Sequence, residues 1–536
     1  MKIRKKAHKR AMAMFLIFCV LYCGCIVRIA SIQNSSAAYV ADMQFMRKIT
    51  LCETRGYIYD VNMKPLVNNE IEDKNIMFMN ESTKELIDAE AALEIKRGVF
   101  VQTKTKENVA ENFYIKNYYE ITRYAENQTA GHIIGYTDAV GGVCGIEKAF
   151  DKILGEAGGK LSLCYYSDAN GYSLYGDGFY IEDSDYDSPA GVRLTIDKDI
   201  QKIAEEKLNE SDISCGAIVV LDAKTAEIRA IASIPCYDVN NVEASLYEEN
   251  NPFINRAVCA YPVGSVFKPV IAASAIENGR YDNGVYECKG NIYIGSNSFS
   301  CYNYNAHGEV DLNCAIENSC NTYFINLGLN TGAENICNTA SLFGFGQKIK
   351  LCSTIISDAG NISDAKEILS DSELANLCFG QGTLLATPLQ IAAAYNVFAN
   401  NGIYIQPTLL KELIDENGEA YAYYKPEDTH FVISEKTCDI INVCLYNNML
   451  NGTGKSGCPS NVTAAGKTAT AQTGRYDESN NEILCTWFAG FFPYENPEYT
   501  IVVFNEKGSL ASKDCAPVFR NCIEEIVALK NINSDY

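Results

Sequence analysis

Ten residues carrying six Lys or Arg and no acid, M-K-I-R-K-K-A-H-K-R, stand directly before an uncharged run from Ala11 to Val27 that is rich in Met, Phe, Leu, Ile and Val. This pair of features constrains whatever follows it. The seventeen uncharged residues reach the short end of a membrane-spanning helix. Arg28 lengthens the reach by snorkelling its guanidinium to the interface, and Ile29–Ala30 continue the apolar surface. A basic flank stays on the cytoplasmic side, so the rest of the chain is expected outside the cytoplasm. A cleaved secretory signal shares the basic and apolar regions. The following A-S-I-Q-N-S-S-A-A fits a small-x-small cleavage site only loosely, which favours an uncleaved single-pass anchor over 11–30 with 1–10 as a cytoplasmic tail. Y-C-G-C at Tyr22–Cys25 lacks the leucine of a lipoprotein box.

A chain of 536 residues is expected to hold two or three domains. Its 47% hydrophobic and 21% charged residues are those of packed globular protein rather than disordered chain. A net charge of -22 excludes nucleic acid as a partner, since phosphate binding needs clustered Lys and Arg. Cys19, Cys23 and Cys25 lie in the apolar run, leaving nineteen of the twenty-two cysteines beyond it. An odd number cannot all pair within the chain. They are scattered through segments such as A-V-C-A and I-N-V-C-L, so most are read as small buried hydrophobes. With no C-x-x-C pair and only four His, no zinc site is expected, and no cofactor is implied.

Between the anchor and about residue 191 the chain is rich in Tyr, Asn and Asp. R-G-Y-I-Y-D at Arg55–Asp60 alternates as a strand does, an aromatic-rich run covers Tyr114–Tyr124, and an acidic segment with turn residues runs from Tyr175 to Gly191. Residues 31–191 therefore read as an elongated β-rich pedestal. From Val192 the pattern changes. V-R-L-T-I-D is a strand, and Asp197 caps a helix over D-K-D-I-Q-K-I-A-E-E-K-L. C-G-A-I-V-V-L-D-A-K-T-A-E-I-R-A-I-A-S is a hairpin about its D-A-K-T turn. Helical stretches are expected from Asn255 to Glu277, from Leu312 to Leu329 and from Thr387 to Gly402. Strands over C-T-W-F-A-G-F-F-P and Y-T-I-V-V-F-N-E-K and a terminal helix close the chain. The class expected for 192–536 is α+β, helices on one antiparallel sheet.

The chemistry starts at Y-P-V-G-S-V-F-K-P-V, where Ser265 and Lys268 are three apart and share a helix face. A serine hydroxyl becomes a nucleophile when a neighbouring base takes its proton, and lysine is such a base once burial lowers its pKa. Val266, Phe267 and Val270 offer that burial. Alone, S-x-x-K arises by chance. Here Ser319-Cys320-Asn321 follows fifty-four residues after Ser265, and Lys467-Thr468-Ala469-Thr470 begins 146 residues after Asn321. This ordered trio, S-x-x-K, S-x-N and K-T-x, belongs to serine acyl-enzymes that open amide bonds.

Nearly the whole chain resembles the class B penicillin-binding proteins. R-G-Y-I-Y-D-V-N-M-K-P-L is similar to the family's R-G-x-I-x-D-R-N-G-x-x-L pedestal motif, and L-T-I-D-K-D-I-Q, F-G-Q-G-T-L-L-A-T-P-L-Q and W-F-A-G-F-F-P resemble further family blocks. The resemblance implies a penicillin-binding/serine β-lactamase-like transpeptidase domain acting as a D,D-transpeptidase on peptidoglycan stem peptides and binding β-lactams, with a membrane glycosyltransferase as partner. It implies Ser265 as nucleophile, Lys268 as base and Ser319 as proton relay. Asn321 would bond the substrate amide, Lys467 would set the local potential, and Thr468 and Thr470 would hold the substrate carboxylate. The N–H groups of Ser265 and Thr470 would form the oxyanion hole.

The chain departs from the family at several positions. Ala469 stands where the third motif has Gly, and a methyl there is expected to crowd the strand edge along which substrate lies. Val61 and Met63 replace the second Arg and the Gly of the pedestal motif, and Ala226 and Arg229 replace Gly and Leu in the hairpin. Cys288 and Cys301 precede H-G-E-V-D-L as a Cys does in some relatives, which leaves a local disulfide and two buried thiols as alternatives. His307 is expected to pack rather than to act in catalysis. A β-lactam sensor or β-lactamase shares the acyl-enzyme chemistry, and a catalytically weak scaffold would retain the fold. The anchor and pedestal argue against the first of these rivals, and the complete set of polar motif residues argues against the second.

Overall fold

The structure, a computed structural model, describes residues 2–35, 46–78, 100–104, 115–167 and 179–534. Tyr114 and the start of the acidic segment at Tyr175 lie outside the described residues. The chain forms two compact units whose segments alternate along the sequence. One takes Met1–Thr54, Glu70–Thr122 and Gly158–Asp187, the other Arg55–Asn69, Arg123–Ala157 and Ser188–Tyr536.

In the first unit a helix, Lys2–Gln33, is long and apolar enough to cross a membrane. The rest is β-structure in two three-stranded antiparallel sheets. Met46–Glu53 and Phe179–Ser184 flank Lys160–Tyr166, while Phe100–Lys104 and Ile115–Thr122 flank Glu70–Phe78. Cys52, Ile76, Ile121, Leu163 and Tyr186 make its small core.

The second unit is built on a five-stranded antiparallel sheet in the order Ile228–Ile234, Gly216–Asp222, Tyr499–Gly508, Glu482–Phe492, Ala465–Tyr476. Side chains alternate across a strand, and the core divides accordingly. Ile218, Val220, Ile501 and Val503 face the helices Lys198–Asn209 and Ala511–Ser534. Ala217, Val219, Val502 and Phe504 face a second, larger core that includes the helices Lys268–Glu277, Asn321–Thr331 and Pro388–Ala399. Asp197 caps its helix by accepting from the N–H groups of Asp199 and Ile200. Thr387 and Gln390 form a reciprocal capping box.

Two expected helical stretches are broken. Asn255–Glu277 contains a 3₁₀ turn at Arg256–Val258 and a short strand at Tyr261–Pro262 before the helix starts at Lys268. Pro262 has no N–H to donate, and Gly264 has φ +67, which no right-handed helix accommodates. The second stretch stops at Glu317 and restarts at Asn321, because Ser319 is left-handed with φ +52. Both breaks fall at motif residues.

Of R-G-Y-I-Y-D only Tyr57–Tyr59 is strand, and it pairs in parallel with Gly191–Leu194. The flanking residues brace the second unit. Glu147, fully buried, meets Arg123 at 2.6 Å and Arg55 at 3.3 Å. Asp60 Oδ1 accepts from the N–H groups of Asn62 and Lys64, each at 2.7 Å. Met63 and Ala226, both at positions where the resembling family has Gly, have φ +61 and +55. Arg229 pairs with Asp222 at 3.1 Å and Glu227 at 2.8 Å.

Candidate active site

Ser265 sits in a single 3₁₀ turn, Gly264–Phe267, that runs into the helix Lys268–Glu277. Pro269 opens that helix where a missing N–H costs nothing. Glycine at 264 is required twice over. Its φ is left-handed, and a Cβ there would lie 3.1 Å from the Ala471 Cβ and 3.3 Å from the Ala469 Cβ. The turn is held from both sides. Gly264 N–H donates to Gly380 O at 2.8 Å, and the Tyr395 hydroxyl donates to Val266 O at 3.1 Å.

Lys268 is fully buried, with Val266, Phe267 and Val270 in the same core and its Nζ 5.6 Å from the Phe324 ring centre. Burial disfavours an ammonium and brings its pKa down to about 7, against a smaller opposing pull from Cys320 and Cys301. Nζ reaches Ser319 O at 2.7 Å, Asn321 Oδ1 at 2.7 Å and Ser319 Oγ at 3.0 Å. Ser319 Oγ is also 3.0 Å from Ser265 Oγ. The two serine hydroxyls and the amine therefore form a continuous chain, with Ser319 in the middle. The left-handed Ser319 makes this possible, since it turns both the carbonyl and the hydroxyl of one residue onto Lys268. Asn321 donates an Nδ2 proton to Ser300 O at 2.8 Å, leaving one N–H and one lone pair of its amide for a ligand.

The third motif lies on the edge strand Ala465–Tyr476. Lys467 is fully buried, and burial first, then the charge of Lys268, drive its pKa well down. Its Nζ donates to Thr453 Oγ1 at 3.3 Å and Thr468 O at 3.2 Å, and Thr468 Oγ1 donates to Thr453 Oγ1 at 2.9 Å. Thr453 thus ties the two motif side chains together. Sequence reasoning missed it, although a threonine between two glycines in N-G-T-G, just after the helix Glu435–Asn451, was a signal.

Two expectations change here. The Ala469 methyl is not laid along an open edge, because the residue is only 3% exposed and packs on the Gly264 turn. The strand alternates, and an odd-numbered position next to buried Lys467 and Ala471 points inward. Thr470 Oγ1 accepts from Ala511 N–H at 3.3 Å, which turns its hydroxyl toward the C-terminal helix. Cys288 and Cys301 are free thiols 3.8 Å apart. They lie with His307 and Cys320 in a group whose metal-ligating atoms converge.

This chain is similar to known proteins over most of its length. Residues 216–524 match the penicillin binding protein transpeptidase domain. Stage V sporulation protein D of Bacillus subtilis is 29% identical over 426 residues, 76% of this chain and 63% of that protein. The peptidoglycan D,D-transpeptidase MrdA of Acinetobacter baumannii is 26% identical over 569 residues, 89% of this chain and 82% of that protein. Among solved structures, a mycobacterial penicillin binding protein 3 complexed with ampicillin superposes with a TM-score of 0.65 at 22% identity, covering 91% of this chain and 97% of that one. With a domain match spanning more than half its length, this chain belongs to the penicillin-binding protein transpeptidase family.

Proposed function

We propose that this chain is a serine D,D-transpeptidase that cross-links peptidoglycan stem peptides and is acylated by β-lactams. The observation that carries the reading is the chain Ser265 Oγ, Ser319 Oγ, Lys268 Nζ, two links of 3.0 Å ending on a fully buried lysine. With Lys268 neutral, its lone pair faces the Ser319 hydroxyl while its two protons go to Ser319 O and Asn321 Oδ1. Ser265 then attacks the carbonyl carbon of the terminal D-Ala–D-Ala bond as its proton passes through Ser319 to Lys268. The proton returns to the leaving nitrogen as the C–N bond breaks, and free D-Ala departs from an ester on Ser265. The amine of a second stem peptide attacks that ester, forms the cross-link and restores the hydroxyl. With a β-lactam the broken amide stays tethered in the opened ring, so nothing departs and the ester persists.

Asn321 supplies its remaining amide capacity to the substrate backbone, the Thr468 hydroxyl serves the terminal carboxylate, and Lys467, whose pKa burial drives down, braces that hydroxyl through Thr453. The N–H groups of Ser265 and Thr470 serve the oxyanion, and Ala469 lines this strand through its backbone alone. The helix Lys2–Gln33 anchors the chain in the cell membrane, with 11–30 in the bilayer, 1–10 in the cytoplasm and the catalytic residues outside. Along the chain, 31–191 is the pedestal, lending 55–69 and 123–157 to the larger unit, and 192–536 is the transpeptidase domain. A membrane glycosyltransferase supplies the glycan strands. Full-length chain in detergent, mixed with glycan strands bearing pentapeptide stems, should yield dimeric muropeptides and release D-Ala. Release of D-Ala without dimers would make the chain a carboxypeptidase, and neither product would refute the activity.

A further inference from the structure

We infer, resting on the transpeptidase reading, that Asn448 and Thr453 are positioning residues for the ligand's terminal carboxylate, fixing the Lys467 amine and the Thr468 hydroxyl that face it. A threonine hydroxyl has one proton and two lone pairs, and at Thr453 all three are engaged. The proton goes to Asn448 Oδ1 at 3.2 Å, one lone pair takes the Thr468 hydroxyl proton at 2.9 Å, and the other takes a Lys467 Nζ proton at 3.3 Å. Asn448 is fully buried, and its Nδ2 donates to Gly466 O at 2.8 Å, one residue before Lys467. That bond turns the amide oxygen toward Thr453. With an acceptor fixed on that side, the Thr453 hydroxyl donates to Asn448 and presents its lone pairs to the two motif residues.

The local sequence builds this arrangement. Asn448 lies in the last turn of the helix Glu435–Asn451, and N-G-T-G follows at Asn451–Gly454. A Cβ on Gly452 would lie 2.4 Å from Asn448 Oδ1 and 2.6 Å from Glu317 O, and one on Gly454 would lie 2.7 Å from Asn448 Nδ2. The chain can therefore wrap Asn448 this closely only with glycine on both sides of Thr453. Thr453 N–H donates to Glu317 O at 3.0 Å, and Glu317 ends a helix two residues before Ser319. One threonine thus bonds through its backbone to the helix that precedes the second motif and through its hydroxyl to the third.

The consequence falls on the carboxylate. When a ligand carboxylate takes the Thr468 proton, Thr453 stays in place because its own proton is committed to Asn448, and it keeps Lys467 Nζ beside the strand. Without the Thr453 hydroxyl, Lys467 retains only Thr468 O at 3.2 Å, and Thr468 Oγ1 makes no other hydrogen bond among the described residues. Ser265, Ser319 and Lys268 share no hydrogen bond with Thr453, so the reacting atoms are left as they are.

The test compares acylation of full-length chain in detergent by benzylpenicillin and by benzylpenicillin methyl ester, which lacks the anionic carboxylate. Binding and bond formation are separated by varying ligand concentration. In Thr453→Val the second-order constant for benzylpenicillin should fall about ten- to a hundred-fold, through weaker binding rather than slower bond formation, since a hydrogen-bonded charged contact is disturbed. The constant for the ester should move by less than about three-fold. Thr453→Ser, which keeps the hydroxyl, should restore most of the loss. Thr453 is exposed, and the acid-to-ester ratio is taken within one preparation, so a partly folded sample does not alter it; Thr453→Ala carries the same comparison if the valine variant does not fold. Equal losses for acid and ester, or no loss for either, overturn the inference. A loss that Thr453→Ser fails to restore assigns the effect to the methyl and overturns the hydroxyl's role. Absence of acylation of the parent chain by either ligand refutes the transpeptidase reading as well, whereas a parent that is acylated and a ratio that does not move refute this inference alone.

Discussion

Replacing Ala469 by glycine separates two accounts of the third motif. If the methyl lay in the substrate's path, its removal would speed β-lactam acylation by about five-fold or more, since relieving overpacking is worth about 1–3 kcal/mol. In the structure it is buried against Gly264 instead. Removing one buried methyl forfeits about 0.8 kcal/mol of burial, with a small cavity cost on top. Glycine within a strand adds about 0.5–1 kcal/mol of backbone entropy. The sum, about 1.5 kcal/mol, corresponds to about 2 °C in the melting temperature of a unit this large. The assay is built into the chain. Its single tryptophan, Trp487, is fully buried directly opposite Ala469 on the neighbouring strand, so a tryptophan-fluorescence melt reports on the altered strand. Ala469→Gly should melt about 2 °C lower and acylate no faster than the parent. An unchanged melt with five-fold faster acylation would refute the packing argument.

Three further outcomes follow from the same geometry. A base must be neutral to accept a proton, and a lysine brought down to about 7 is charged below that value, so acylation should rise with pH through about 7 and then level. Second-order rate constants from about pH 5.5 to 9 check this, and a flat or falling profile contradicts it. Ser319→Ala removes the hydroxyl that bridges Lys268 and Ser265 and should slow acylation by about 10²–10⁴-fold with the melt nearly unmoved; a loss under three-fold would show that Lys268 reaches Ser265 without it. Glu147→Ala leaves Arg55 and Arg123 without their shared buried carboxylate and should cost about 3–5 kcal/mol in denaturant unfolding, whereas a cost under 1 kcal/mol would mean that water replaces it.

The parts of the molecule fixed by short-range rules were readable in the sequence. The apolar strands Gly216–Asp222 and Ile228–Ile234 of the hairpin and the Asp197 cap form as their residue types dictate. The motif trio identified Ser265, Lys268, Ser319 and Asn321, which the structure joins in one hydrogen-bonded cluster. Local pattern failed where tertiary packing sets the backbone. Apolar residues ran through Gly264 and Ser319 as though helices did, yet both are left-handed because each must turn its neighbours toward Lys268. Departures at Met63 and Ala226 were visible, but not that both keep a glycine-like φ. The direction of the Ala469 methyl needed the strand's register against the Ser265 turn. The cysteine group was hidden for a related reason. Its members are separated by 13, 6 and 13 residues, and a hairpin rather than a short spacing brings them together.

The central claim, that Ser265 is a nucleophile driven by a buried lysine through Ser319, is tested most directly by intact-mass spectrometry of the full-length chain after incubation with benzylpenicillin. The account predicts a gain of one penicillin mass, mapped by proteolysis to the peptide carrying Ser265, and no gain in Ser265→Ala with the melt unchanged. An adduct of the same mass on the Ala variant would contradict it.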